Sequence, residues 1–509
     1  MNPDTGPGRR VTRLAIDLGA ESGRLVEGRL DACGRLSLEE TFRFPNGPSM
    51  IGGRLRWDAE ALWKRLLEGL CRTSESGNSP ASLSVDGWGV DFVLLDEKGT
   101  LCEQPLSYRD GRLPCAMEAF LRRMGRDTLH RLTGIQVMPI NTLFQLFEMT
   151  ESGSPALARA SRLLFIPDYF AYLLTGCRRT EATVASTSGM ADPATGSWSV
   201  EVVEAAGIDG GILGRIEAPC ALLGGLSPAV ESIAGLCGTL VYSGASHDTA
   251  CAVAALPASG DDFAYISSGT WSLVGVEARS PALSSGAAEA NITSEAGICG
   301  TWRVLRNLSG LWLFQQLRRS LPHGEAPGYG ELAAMAEDAE PFAALIDPES
   351  PEFLAPGRFL EAVEAFLGRT GQSMPATTGG IARCLLESLA LSSRRGLESV
   401  LSVTGRKPGV LHIAGGGSRN APLCRMTASA IGIPVLAGPS EATAAGNILC
   451  QMLAEGELSG LGEIREVSRR SFPVSEHLPD GRDEWDRAYE RFLRISESDS
   501  QRRQEGGSR

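Results

Sequence analysis

The chain has no run of about 18 apolar residues, so no segment of it reads as a helix crossing a bilayer. Its first ten residues, MNPDTGPGRR, lack an apolar stretch and read as a polar lead-in rather than a secretory signal. Histidine is scarce, with five in 509 residues, and these are too dispersed to suggest a metal site. The twelve cysteines contain no CxxC; the closest two, Cys102 and Cys115, are thirteen positions apart. That excludes zinc-ribbon and dithiol motifs and leaves reduced thiols of a cytoplasmic protein as the expectation. Positive charge is in deficit, 48 Lys and Arg against 61 Asp and Glu, for a formal net charge of −13. No basic field draws in nucleic acid or an anionic membrane, and a polyanionic ligand needs local N–H groups or a metal ion. GxxxxGK[ST] and GxGxxG are both absent, which weighs against a P-loop and a dinucleotide fold.

What is present is an ordinary globular composition, 43% hydrophobic and 21% charged, in a chain long enough for two or three domains. Sliding the sequence by 250 residues lays Ile266-Ser267-Ser268-Gly269-Thr270 over Ile16-Asp17-Leu18-Gly19-Ala20. Identities fall at 16/266, 19/269, 22/272, 26/276 and 27/277. Each copy reads as an apolar strand, a Gly-containing turn and a second strand, which suggests two similar domains with a cleft between them. Strands are expected at 11–18, 24–30 and 36–44, a helix at 59–72, and strands at 81–86 and 90–95. That is the order of a ribonuclease-H-like α/β layer. Residues 157–175 read as largely helical and 180–198 as a Thr/Ser-rich loop. After the link at 257–262 the strand pattern restarts. The longest amphipathic helix spans 379–403, an apolar strand at 409–414 runs into Gly415-Gly416-Gly417, and the tail from Ser496 reads as disordered.

Four stretches carry side chains suited to chemistry. Asp17-Leu18-Gly19-Ala20-Glu21-Ser22-Gly23-Arg24 puts a carboxylate at a strand end before a turn of small residues, where N–H groups can approach a phosphate and Arg24 can supply a counter-charge. Alone it is equally a tight turn; paired with Ser268-Gly269-Thr270 it suggests two turns holding two ends of a triphosphate. Gly415-Gly416-Gly417 precedes a helix near Asn420, so it is either a phosphate or flat-ligand site or a flexible loop. Asp248, beside His247, is either a base that takes a proton from a hydroxyl or an N-cap for a helix through 250–255; spacing alone favours the cap, and a structural His247. Asp86-Gly87-Trp88-Gly89-Val90-Asp91 interrupts a strand with two glycines and suits either a polyhydroxyl ligand or a bulge with a core Trp. Tyr108-Arg109-Asp110 reads as an internal ion pair.

Taken together, the residues resemble the FGGY carbohydrate kinases over about residues 12–460. AIDLGAESGR resembles the family's first phosphate motif, AYISSGTWSLVG the second, and LHIAGGGSRN its adenosine motif. VDGWGVDFVLLD with SYRDGR, ASHDTACAV, LTGIQVMPINTLFQL, RNLSGLWLFQQL and AGPSEATAAGN are closest to the branch acting on L-rhamnulose. The resemblance implies two ribonuclease-H-like domains of the actin/hexokinase type around a central cleft, at 11–256 and 263–460, with 461–509 as an extension and polar tail. It implies transfer of phosphate from ATP to L-rhamnulose with Mg²⁺, giving L-rhamnulose 1-phosphate, by a monomer or small homo-oligomer. On matching positions it makes Asp248 the catalytic base, with His247, Thr249, Gly89 and Asn307 as sugar contacts. It makes Ala20, Glu21, Ser22, Gly23, Arg24, Thr270, Gln315 and Gly416 nucleotide contacts, and Asp17 the holder of Mg²⁺ through water. Sibling substrates such as fuculose, xylulose, glycerol or a signalling carbohydrate share the nucleotide motifs. Two departures stand out: Gly87 where that branch has Thr or Ser, which bears on sugar preference, and Glu21, a negative charge in the first phosphate turn.

Overall fold

The structure is a computed structural model, and it describes residues 11–322, 326–353 and 357–506. Contacts divide these into two units. The first comprises residues 11–257, Glu277–Val304 and Ala442–Phe472; the second comprises Ala258–Val276, Leu305–Glu441 and 473–506. The expected boundaries follow the chain linearly, whereas packing does not. Leu461–Ser471 is a helix of the first unit, and residues 473–506 belong to the second.

In the first unit the strands Leu36–Pro45, Ser22–Leu30, Thr12–Leu18, Ser82–Gly87, Leu240–Tyr242 and Leu222–Gly225 lie side by side in that order. Thr12–Leu18 is buried along its whole length, as befits a central strand covered on both faces. It pairs antiparallel with Ser22–Leu30 and parallel with Ser82–Gly87. In the second sheet, Trp302–Ser309, Trp271–Ala278, Phe263–Ser268, Val410–Ala414 and Val435–Ala437 repeat that order, with Thr293–Ala296 and Ser475–His477 at its edges. Both are the strand order of a ribonuclease-H-like layer, and the fold is α/β as expected.

The 250-residue repeat holds for the first strand of each hairpin and fails for the second. Leu18 pairs with Gly23, but Ser268 pairs with Ser272, so the second turn is one residue shorter. Ile16/Ile266 and Gly19/Gly269 are therefore equivalent, whereas Val26 corresponds to Gly275 and not to Val276.

Three local expectations are corrected. Residues 90–95 give the strand Phe92–Leu95, which pairs with Arg162–Phe165 in a ribbon outside the main sheet. That partner strand splits the expected helix at 157–175 into Pro155–Arg159 and Ile166–Thr175. The polar tail from Ser496 is helical, the end of Arg482–Gly506. The helix buries Trp485, Ala488, Tyr489, Phe492 and Ile495 on one face. Asp499 then continues that face by pairing with Arg369 at 2.7 Å and Arg503 at 2.7 Å. No helix of the described residues is long and apolar enough to cross a membrane.

Candidate active site

In the first unit, Asp17 and Asp86 are register partners at the ends of adjacent parallel strands, and Gly87 bridges to His247. The alternation of side chains puts register partners on one face of a sheet, so strand pairing alone gathers these two carboxylates beside the 246–248 turn. Arg24, the register partner of Asp17 on the other side, donates to Asp17 Oδ2 from Nε at 2.9 Å and from Nη2 at 2.7 Å. The guanidinium expected as a phosphate counter-charge is thus joined to a carboxylate. None of these bonds falls on Asp17 Oδ1.

Asp248 begins the helix Asp248–Ala254, whose N-cap position is His247. The cap reading of Asp248 therefore fails: its Oδ1 accepts from its neighbour, Thr249 N at 2.5 Å and Thr249 Oγ1 at 3.1 Å. Its Oδ2 accepts from no side chain or backbone group of the described residues. Burial, then the negative charge of Asp17, push the carboxyl up to about 7. The side chain is 30% exposed. Asp86 differs: it is wholly buried, and burial followed by Asp17 holds its carboxyl well above the usual carboxylate range. Asn447 donates to Asp86 Oδ2 at 2.6 Å, and Oδ1 is buried with no hydrogen-bond partner among the described residues.

The turn that carries Asp248 is anchored by two buried carboxylates that no motif marks. Glu181 Oε2 accepts from Ser246 N at 3.2 Å, Val184 N at 3.2 Å and Thr183 Oγ1 at 2.6 Å. Asp168 accepts from Glu181 N at 3.1 Å and Ser246 Oγ at 3.3 Å, while Thr183 Oγ1 accepts from His247 N at 3.1 Å. The expected Thr/Ser-rich loop is thus a scaffold, containing the short helix Ala182–Ala185. Gly89 sits against the same scaffold, where a Cβ would come within 2.9 Å of Thr187 Oγ1. The helix Ala442–Ala454 closes against the Asp248 helix so tightly that a Cβ on Gly446 would lie 1.9 Å from Cys251 O.

Other expectations resolve as follows. In the first phosphate turn, Gly19 N donates to Ser22 O at 2.9 Å, with Ala20, Glu21 and Ser22 half-buried. Gly23 is buried, and its missing side chain makes room for Phe44, whose ring a Cβ would strike. Trp88 is a core residue packed against Trp57, with ring centroids 4.4 Å apart and planes tilted by 41°, and both indoles donate to buried Asp91. At Gly87 the missing Cβ faces Leu18 O at 3.2 Å and Leu18 Cβ at 3.3 Å, which are packing contacts. Asp110 pairs with Arg54 and Arg112, and Arg109 donates to Tyr108 Oη.

In the second unit, Ser268-Gly269-Thr270 is clasped by glycines. A Cβ on Gly310 would meet Trp271 C at 2.5 Å and Thr270 O at 2.8 Å. On Gly415, at φ +82°, it would meet Ser268 O at 2.8 Å, and on Gly417 it would meet Ser268 Oγ at 1.9 Å. The glycine run then opens into a cavity of about 640 Å³ walled by Phe314, Gln315, Tyr329, Ala333, Gly416 and Pro422. That is the size and apolar character of a small-molecule site. Gln315 Oε1 is buried there with no partner among the described residues. Gln315 and Gly416 line the same cavity; Phe314, although inside RNLSGLWLFQQL, and Tyr329 were not singled out from the sequence. Asn307 lies in this unit, half-buried on Trp302–Ser309.

Residues 12–255 match the N-terminal domain and residues 264–455 the C-terminal domain of the FGGY family of carbohydrate kinases. The chain belongs to this family. A rhamnulokinase of Bacteroides thetaiotaomicron is 42% identical over 479 residues, 94% of this chain and 98% of that protein. A rhamnulokinase of Enterococcus faecalis is 41% identical over 91% of this chain and 93% of its own length. Among solved structures, a gluconate kinase from Lactobacillus acidophilus superposes with TM-score 0.79 at 14% identity, covering 96% of this chain and 98% of that one. A Plasmodium falciparum glycerol kinase with ADP gives 0.73 at 14% identity, covering 97% and 98%. At such identities the superpositions establish the two-domain FGGY fold alone.

The family resemblance implies Mg²⁺ together with ATP, and the carboxylates present fit such an ion. Asp17 Oδ1 and Asp86 Oδ1 accept no hydrogen bond among the described residues, and mutual repulsion with Asp248 is what a cation would relieve. Among the described residues no group of three or more ligating side chains could hold a metal. A cation there must complete its shell with water and phosphate oxygens, the usual habit of Mg²⁺.

Proposed function

We propose that this FGGY kinase phosphorylates L-rhamnulose on its primary hydroxyl, taking the γ-phosphoryl group of ATP. The reading is carried by the relatives named rhamnulokinase, 37–42% identical over 91% or more of the chain. It is supported by a site in which Asp248, 30% exposed, keeps an oxygen, Oδ2, that no donor of the described residues fills. That oxygen accepts the proton as the sugar hydroxyl attacks phosphorus in line. His247 and Thr249 orient the carboxyl, and with Gly89 and Asn307 they contact the sugar. The first phosphate turn, 20–24, and Thr270 hold phosphates through backbone N–H groups. Gln315 and Gly416, in the second unit's cavity, take the adenosine.

Asp17 would hold Mg²⁺ through water, and the ion would supply neutralisation of the phosphate charge. Phosphoryl transfer requires the base and the nucleotide to meet with water shut out. We place the enzyme in the cytoplasm, its cysteines reduced, as a monomer or small homo-oligomer.

A panel of L-rhamnulose, L-fuculose, D-xylulose and glycerol, assayed for ADP release, tests the reading. The highest kcat/KM is expected for L-rhamnulose, with negligible ATP turnover when no sugar is added. A higher kcat/KM for any other member, or sugar-independent hydrolysis at the same rate, removes it.

A further inference from the structure

We propose that Arg303, backed by Glu295, fixes His247 in the tautomer that carries its proton on Nε2, making the ring a hydrogen-bond donor toward Asp248. Arg303 is thereby a positioning residue for the catalytic base. The catalytic consequence rests on the reading of Asp248 given above; the tautomer does not.

Arg303 lies on Trp302–Ser309 with its side chain 1% exposed, and its Nη2 is 3.1 Å from His247 Nδ1. A guanidinium has five N–H donors, no acceptor, and does not deprotonate in a protein. The ring nitrogen facing it must therefore offer a lone pair. A neutral imidazole with an unprotonated Nδ1 carries its proton on Nε2, and a doubly protonated ring would set N–H against N–H between two buried side chains. Burial, then the Arg303 charge, accordingly keep the imidazole well below its usual range.

Glu295 is the rival for the ring, since a carboxylate at Nδ1 would draw the proton there. Its Oε2 is 3.6 Å from Nδ1, beyond hydrogen-bond reach, and 3.1 Å from Arg303 Nη2. The carboxylate therefore serves the guanidinium, as a buried charge requires. Arg303 is further held by Ala296 O, which accepts from Nε at 3.2 Å and from Nη2 at 3.1 Å.

On the other side of the ring, Nε2 is 3.4 Å from Asp248 Oδ1. With the proton on Nε2, that oxygen faces three donors: Thr249 N, Thr249 Oγ1 and the imidazole. Oδ2 is then the oxygen left for the substrate. The opposite tautomer would set a nitrogen lone pair against Oδ1 and turn the carboxyl away.

The test uses the full chain labelled with ¹⁵N-histidine. Only five histidines are present, so His247 is assigned by the signals lost in His247→Gln. The expected spectrum has a lone-pair-type Nδ1 and an N–H-type Nε2, unchanged through the range near pH 6.5 where a free imidazole titrates, about one unit either side. A proton on Nδ1, or a doubly protonated ring at neutral pH, overturns the proposal. Arg303→Met combined with Glu295→Gln, which strands no buried carboxylate, is expected to mix the tautomers and lower kcat about tenfold or more with KM for ATP unchanged. Arg303→Lys, again a pure donor, is expected to restore the Nε2–H form and most of kcat. Wild-type tautomer and kcat in the double variant would overturn the role of Arg303. If that variant does not fold, the wild-type spectrum and Arg303→Lys decide. Loss of Asp248 as base, shown by normal turnover in Asp248→Asn, would leave the tautomer standing.

Discussion

Replacing Asp248 with Asn keeps the outline of the side chain and removes its capacity to take a proton. Asn Oδ1 can still accept from Thr249 N and Oγ1, so the turn keeps its shape. At the other atom an NH₂ replaces Oδ2, and the sugar hydroxyl can accept from it instead of donating. Sugar affinity is therefore expected to stay within about tenfold, about 1.4 kcal/mol. The chemical step loses its base, worth about 10²–10⁴ in rate, or roughly 3–5 kcal/mol at 1.36 kcal/mol per decade. There is a second signature. With the Asp248 carboxyl pushed up to about 7, the base is ionised above that pH and protonated below it, so kcat/KM of the wild type should fall as pH drops through about 7. The residual rate of Asp248→Asn should lack that limb. ADP release followed over pH, with sugar binding measured by calorimetry, gives both quantities. Turnover within tenfold of wild type, or an acid limb that survives the substitution, would refute the assignment.

Asp17→Asn removes the anion that, after burial, does most to hold the Asp248 carboxyl up, so the acid limb should move to lower pH when measured at saturating Mg²⁺; an unmoved or higher limb argues against their coupling. Glu181→Gln sets an NH₂ among N–H and O–H donors that now share a carboxylate, and should cost on the order of 2–4 kcal/mol in denaturant unfolding. Its kcat should fall too, because the freed Ser246 belongs to the turn of Asp248; an unchanged unfolding midpoint would contradict the anchoring role. Gly87→Thr adds its Cβ against Leu18, and should cost about 1 kcal/mol or more while leaving the order of preference among ketoses intact. A switch of preferred sugar in that variant would show that position 87 faces the substrate.

The fold was legible where one pattern had one meaning. The uniformly buried 12–18 strand, the Gly turn after it and the 27-residue helix Thr378–Thr404 all appear close to where the sequence pattern placed them. The carboxylates on the conspicuous motifs, Asp17 and Asp248, fall in one unit near each other for a reason the sequence half reveals: both follow strands that end at the same edge of one sheet. What stayed hidden depends on contacts between distant positions. Glu181 in a Thr-rich stretch reads as a loop residue until Ser246 N is found donating to it. Arg303 looks like any strand arginine until its side chain is seen against His247. The equivalence of the two hairpins was overread for a related reason, because a constant offset of 250 cannot register a turn one residue shorter.

Burial and hydrogen bonding together support Asp248 as the proposed base. Asp91 is tied to two indoles and Gln145, Asp168 and Glu181 to the 246–248 turn, and Glu295 to Arg303. Asp17 spends one oxygen on Arg24. Each of these has donors that offset its desolvation, and displacing one for catalysis would strand the group that now donates to it. Three carboxylates keep an oxygen that no donor of the described residues fills, Asp17, Asp86 and Asp248, and the Asp17 side chain is paired with Arg24 and only 9% exposed. Asp86 is 0% exposed and cannot meet a sugar hydroxyl, while Asp248 is 30% exposed at the start of its helix. A proton acceptor must be both unfilled and reachable, and in the first unit only residue 248 among these satisfies both. Burial, then the negative charge of Asp17, raise its affinity for a proton and would match the proposed base to neutral pH.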